Sequence, residues 1–192
     1  MTQATALSPA GLIGARSVPT KILAVGLGTL FLAASSYVEV PMVPVPVTMQ
    51  TFAVLLIGAL YGPGLAFATI LAWLGEAALG LPVLSGGAGG LAYMMGPTGG
   101  YLLGFALAAP LVGWLAQRGW GGEDMFRSFL AMLAGHAVLF VPGVLWLSSF
   151  VGFEQAIVLG FTPFLVGTVL KSALAAACGL AAGRAVARLL AR

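Results

Sequence analysis

Lys171 is the residue whose surroundings ask most insistently for a partner. It stands in GTVLKSALAAACG, a third to half of the way along an apolar stretch, with no acid within four residues. Ionisable groups inside a membrane span are costly and mark ligand, ion or pairing sites. Lys171 therefore either meets an anionic or strongly polar ligand group or pairs within the protein, with Glu76 or with carbonyls at a broken helix end. Glu76, in WLGEAALG, is either a solvated carboxylate near a helix end or a pocket acceptor for N–H donors or for Lys171. Gln50, beside Thr48, either caps a helix or presents its amide to a cavity. Tyr93 and Tyr101 flank GPTGG, where tyrosines serve either an interfacial aromatic belt or a pocket. His136, in LAGHAVLF, has no partner nearby in sequence and reads as an interhelical hydrogen-bonding group. Glu39, beside Pro41, Pro44 and Pro46, reads as an exposed loop carboxylate.

Other chemistries find little support. One histidine, one cysteine and dispersed carboxylates make no metal-ligand cluster. The runs SGGAGG and GPTGG lack the Lys-Ser/Thr of a phosphate-binding loop, and no strand precedes them. No Ser-His-Asp set is visible, so an enzyme is disfavoured. Cys178 lies in the small-residue run ALAAACGLAAG and reads as a helix-packing residue.

The elements that must position these groups belong in lipid. Of the 192 residues 60% are hydrophobic and 7% charged, and the mean hydropathy is +1.08. Soluble domains carry about 25% charged residues, so a soluble fold fails. A spanning helix needs about 20 mostly apolar residues, and the apolar runs accommodate five or six; they are continuous, unlike the alternating segments of about ten in a membrane barrel. The expected fold is all-α, a single membrane domain over 1–192 with residues 1–21 a cytoplasmic tail. Six spans are predicted: Ile22–Tyr37, Met49–Leu60, Leu65–Leu79, Pro97–Ala116, Phe129–Phe150 and Phe161–Ala187. Prolines end the first, TyrGlyProGly at 61–64 turns the chain after the second, and 80–96 form a long irregular loop. The second and third spans are short, which in transport proteins points to a site.

With the N-terminus inside, Arg16, Lys21, Arg118, Arg127, Arg184, Arg188 and Arg192 all fall on the cytoplasmic side. The opposite orientation would misplace all seven, so both termini are expected in the cytoplasm of a plasma-membrane protein. The net charge of +3 is this asymmetry and not a nucleic-acid footprint. The irregular segments 39–50 and 80–96 then meet outside, over an outward-facing pocket. Ala24 and Gly28 form a small-xxx-small pair on the first span, suited to internal packing or to a partner subunit.

Three segments in this order carry a resemblance: PMVPVPVTMQ at 41–50, GLPV with GGAGG and GPTGGYLLGF at 80–105, and GTVLK at 167–171. The chain resembles the BioY family, the biotin-specific substrate-binding components of energy-coupling factor transporters, over essentially its whole length. The resemblance implies a six-helix fold whose first loop closes a pocket over biotin. It also implies partnership with a transmembrane coupling subunit and a pair of ATP-binding subunits, Ala24 and Gly28 being the nearest match to the helix 1 contact. Biotin is then the transported ligand, with no cofactor. The chain departs from the family in carrying Thr168 where members often have an aspartate three residues before the lysine, and Ala88 where some carry a bulky or basic residue. The expected binding residues are Gln50, Glu76, Tyr93, Thr98, Tyr101, Thr168 and Lys171. Lys171, or Thr98 with Tyr101 at a helix N-terminus, would hold the carboxylate. Alternatives are another small vitamin on the same fold or, more distantly, an intramembrane enzyme using His136, Glu76 and Lys171.

Overall fold

The computed structural model describes residues 17–121 and 124–190, with side chains through residue 185. Arg16, Arg192 and the tail before residue 17 lie outside the described residues, as does the side chain of Arg188. The elements are helix α1 (Val18–Ser36), strands β1 (Glu39–Val40) and β2 (Val47–Thr48), and helices α2 (Gln50–Ala78), α3 (Leu91–Met94), α4 (Gly99–Leu115), α5 (Met125–Val151), α6 (Phe153–Gly160) and α7 (Leu165–Leu190). Five helical stretches among the described residues are long and apolar enough to cross a membrane.

One of the five is two spans. A straight helix of 29 residues would run about 43 Å, but α2 breaks at Gly62, whose φ of 76° lies in the left-handed region that favours glycine. Pro63 follows and removes a backbone donor. The contacts with α1 give the directions. Ala24 O accepts from Tyr61 Oη at 2.8 Å, and Phe31 meets Phe52 with ring centroids 6.2 Å apart, so α1 runs antiparallel to residues 50–61. Further along, Gly28 lies against Thr69, while Ser36 Oγ and Trp73 Nε1 both donate to Val83 O, at 2.9 and 3.1 Å. Residues 64–78 therefore run parallel to α1, and the helix folds back on itself. With α1, α4, α5 and α7 the two arms make the predicted six.

The sequence expectation missed smaller elements. Residues 39–48 form a two-stranded antiparallel ribbon pairing Glu39 with Thr48 and Val40 with Val47. A short helix, α3, sits inside the irregular loop, and α6 caps the bundle between the last two spans. At the Gly62 end lie Lys21, Arg118 and Arg127, with the Arg118 guanidinium 3.5 Å from the Trp114 ring centroid. Glu39, Glu76 and Glu154 lie at the ribbon end, so the charge asymmetry read from the sequence separates the two ends of the bundle.

Small residues let the helices close. A Cβ on Gly58 would come within 2.5 Å of Ala109 O, and one on Gly113 within 2.6 Å of the Gly62 carbonyl carbon. Backbones approach this closely in membranes because packing, not a hydrophobic driving force, holds helices together.

Candidate functional site

At the ribbon end aromatic residues gather around a cavity. Tyr101 and Phe105 of α4, Phe140 of α5 and Phe164, just before α7, wall a cavity with Leu102 and Leu139. Phe164 lies 6.3 Å from Tyr101 and 6.0 Å from Phe140, centroid to centroid. Tyr101 is fixed by its hydroxyl, which donates to Gly160 O at 2.7 Å and thereby ties α4 to α6. The enclosed space is small, about 40 Å³.

The cover comes from two loops. Val45 and Pro46 of the ribbon and Leu84 and Ser85 of the glycine loop close over the aromatic wall. Ser85 Oγ donates to the Glu39 carboxylate, and Tyr37 Oη donates to Pro82 O at 2.6 Å, so the loops are joined by hydrogen bonds. Glu39 therefore latches ribbon to glycine loop instead of standing free as an exposed loop carboxylate.

Polar groups enter from one side. Lys171 is 8% exposed and its Nζ donates to Thr48 O at 2.9 Å. Thr48 Oγ1 donates to Gln50 Oε1 and accepts from Gln50 N, each at 3.2 Å. Gln50 Nε2 and Thr51 Oγ1, both buried, have no partner among the described residues. A buried polar atom left unpaired costs about 1–3 kcal/mol. Thr98, at the N-terminus of α4, also lines the cavity without capping the helix through its side chain.

Of the residues expected from the sequence, Gln50, Tyr93, Thr98, Tyr101 and Lys171 line this cavity. Glu76 does not: it is half-buried on the returning arm of α2, and among the described residues no ion pair joins it to Lys171. The lysine instead bonds the β2 carbonyl that the ribbon presents. Thr168 is buried one turn before Lys171 but is not part of the wall. Tyr101 contributes its ring, its hydroxyl being held by Gly160. Gly28 is buried against Thr69 and Tyr61, and the Ala24 carbonyl accepts from Tyr61, so Gly28 packs within the chain. His136 Nδ1 lies 3.0 Å from Ser172 Oγ on α7, the interhelical bond expected of it.

Sequence reading missed Thr51, Ser85, Phe105, Phe140 and Phe164. The polar pair Gln50–Thr51 at a span's start was a usable signal for the first. The phenylalanines had none, since lipid-facing and cavity-facing aromatics look alike in an apolar helix.

Fold and cavity together define a class: a small multi-pass helical membrane protein with a mostly apolar, polar-tipped cavity at an end of the bundle. The BioY family model matches residues 5–188. The chain is 40% identical over 154 residues to the probable biotin transporter BioY of Pyrococcus horikoshii, covering 79% of this chain and 90% of the relative. It is 37% identical over 165 residues to the biotin transporter BioY2 of Lactococcus lactis subsp. cremoris, covering 84% and 89%. The crystal structure of the S-component for biotin from an ECF-type ABC transporter superposes with a TM-score of 0.76 at 25% identity, over 93% of this chain and 96% of that one. This chain belongs to the BioY family.

Proposed function

We propose that this protein is the biotin-binding component of a vitamin uptake transporter, capturing biotin on the outer face of the cell membrane. The carrying observation is the cavity: apolar aromatic walls for the thiophane ring and valeryl chain, and a few polar groups for the ureido ring and carboxylate. Lys171 is its one cation and takes the carboxylate, with Gln50, Thr98 and Tyr93 as further ligand contacts and Tyr101 as apolar wall. The binding roles first expected of Glu76 and Thr168 are secondary, because neither lines the cavity.

The charge separation along the bundle supports an orientation with both termini cytoplasmic and the ribbon outside. Uptake then needs an energy source in partner subunits, a transmembrane coupling subunit and ATP-binding subunits. The exposed face of α1, with Leu23, Gly26, Leu27 and Leu30, is the coupling surface we assign, Ala24 lying at its edge.

Labelled biotin and the purified protein test this directly. The expected result is saturable one-to-one binding without chemical change of the ligand, resisted by unrelated vitamins in excess. Failure to bind biotin, or displacement by another vitamin, would overturn the assignment.

A further inference from the structure

Gln50 Nε2 and Thr51 Oγ1 are adjacent in sequence, buried, without partners, and carried by residues that line the cavity. Several other helical hydroxyls are bonded. Thr69 Oγ1 donates to Leu65 O one turn back at 2.8 Å, the usual solution for a helical threonine, and Thr29 and Ser36 bond carbonyls three residues back. Thr51 makes no such bond. Gln50, 5% exposed, uses Oε1 and its backbone N–H on Thr48, which leaves the NH₂ as the free end of the amide. His136 Nε2 is also unpartnered, but His136 does not line the cavity.

We infer that Gln50 Nε2 and Thr51 Oγ1 form a ligand subsite, two hydrogen-bond donors built to receive one carbonyl-type oxygen of the bound molecule. The inference rests on the biotin reading for the identity of that oxygen. Biotin offers it in two places, the ureido carbonyl and the carboxylate. The empty protein tolerates two unpaired polar groups because the complex satisfies them, a cost to stability accepted at a functional site.

Apolar variants test it: Gln50→Met and Thr51→Val, each purified and scored for melting temperature without ligand and for affinity toward biotin and its analogue with a methyl group in place of the carboxylate. Thr51→Val is expected to melt at or above the parent temperature, since an apolar group replaces an unpaired one; Gln50→Met also removes the Oε1 that accepts from Thr48 and is read by affinity. Both should bind biotin at least about tenfold more weakly, about 1.4 kcal/mol. A loss kept with the methyl analogue assigns the oxygen to the ureido ring; a loss that vanishes assigns it to the carboxylate. Parent-like affinity in both variants overturns the inference, as does a fall in the Thr51→Val melting temperature that accompanies weaker binding. Should the parent bind no biotin, that reading fails by itself, and the Thr51→Val melting temperature judges the subsite: higher supports it, lower removes it.

Discussion

The two ends of this bundle are built from the same apolar alphabet and solve opposite problems. At the Gly62 end, Gly58 meets Ala109, Gly113 meets Gly62 and Gly135 meets Leu55 and Val112, with no room for another methyl group. At the ribbon end Gly100 meets Pro142 and Gly104 meets Leu139 just as tightly, but the neighbouring positions carry Tyr101, Phe105, Phe140 and Phe164 around a cavity with polar tips. Close backbone approach holds α4 against α5 at both ends, so the difference lies in the aromatic side chains and not in the helix spacing.

The comparison breaks most visibly at the packed end. Gly58→Leu would drive a side chain into the Ala109 carbonyl, 2.5 Å from the first added carbon. Overpacking of this kind costs about 3 kcal/mol at its upper range, so the variant should lose its folded fraction in a detergent melt. Gly64→Ala, where nothing lies within 4 Å, should melt like the parent. Equal behaviour of the two would mean that the glycine contacts do not hold the bundle.

At the open end the expected effects fall on the ligand. Lys171→Met should weaken biotin binding by roughly a hundredfold, about 2.7 kcal/mol, in keeping with a charge-assisted hydrogen bond. Glu76→Gln should stay within about twofold, because Glu76 is away from the cavity. Titration of both variants with biotin separates them. A larger loss in Glu76→Gln than in Lys171→Met would restore the carboxylate to the site and contradict the wall described here.

The smallest effect sharpens the role of the cover. Ser85→Ala removes the hydrogen bond to Glu39 that joins glycine loop to ribbon. Loss of about 1 kcal/mol, a typical hydrogen-bond contribution, should appear as about fivefold faster biotin dissociation with association little changed. Stopped-flow kinetics reads both rates. A slower association with unchanged dissociation would place the latch in ligand entry instead of retention.

Much of this was legible in the residues. The break after the second span followed from TyrGlyProGly, since Gly62 can take a positive φ and Pro63 cannot continue the donor ladder. The cavity's position followed from proline-rich and glycine-rich segments that cannot be helical and so must be covered by protein. Lys171 stood out because a buried cation demands a partner. Glu76 was expected as a pocket acceptor or as the lysine's partner, and sequence offered no way to see that Thr48 O receives the lysine. Gly28 shows the reverse case, a small-residue face that fits a partner or a neighbour equally well until Tyr61 and Thr69 are found against it.

Composition and spacing alone thus determined that the chain lives in lipid, how many times it crosses and where its backbone stops being helical. Those properties depend on local hydropathy and on the torsions of glycine and proline. Which polar atoms face the cavity was decided only by the tertiary structure. In a bilayer the outward face of a helix is as apolar as the inward one, so periodicity carries no record of which side is inside. Gln50, Thr51 and Lys171 come together because a ribbon at 39–48 brings a β2 carbonyl to α7, a pairing across 123 positions of sequence that no local pattern encodes.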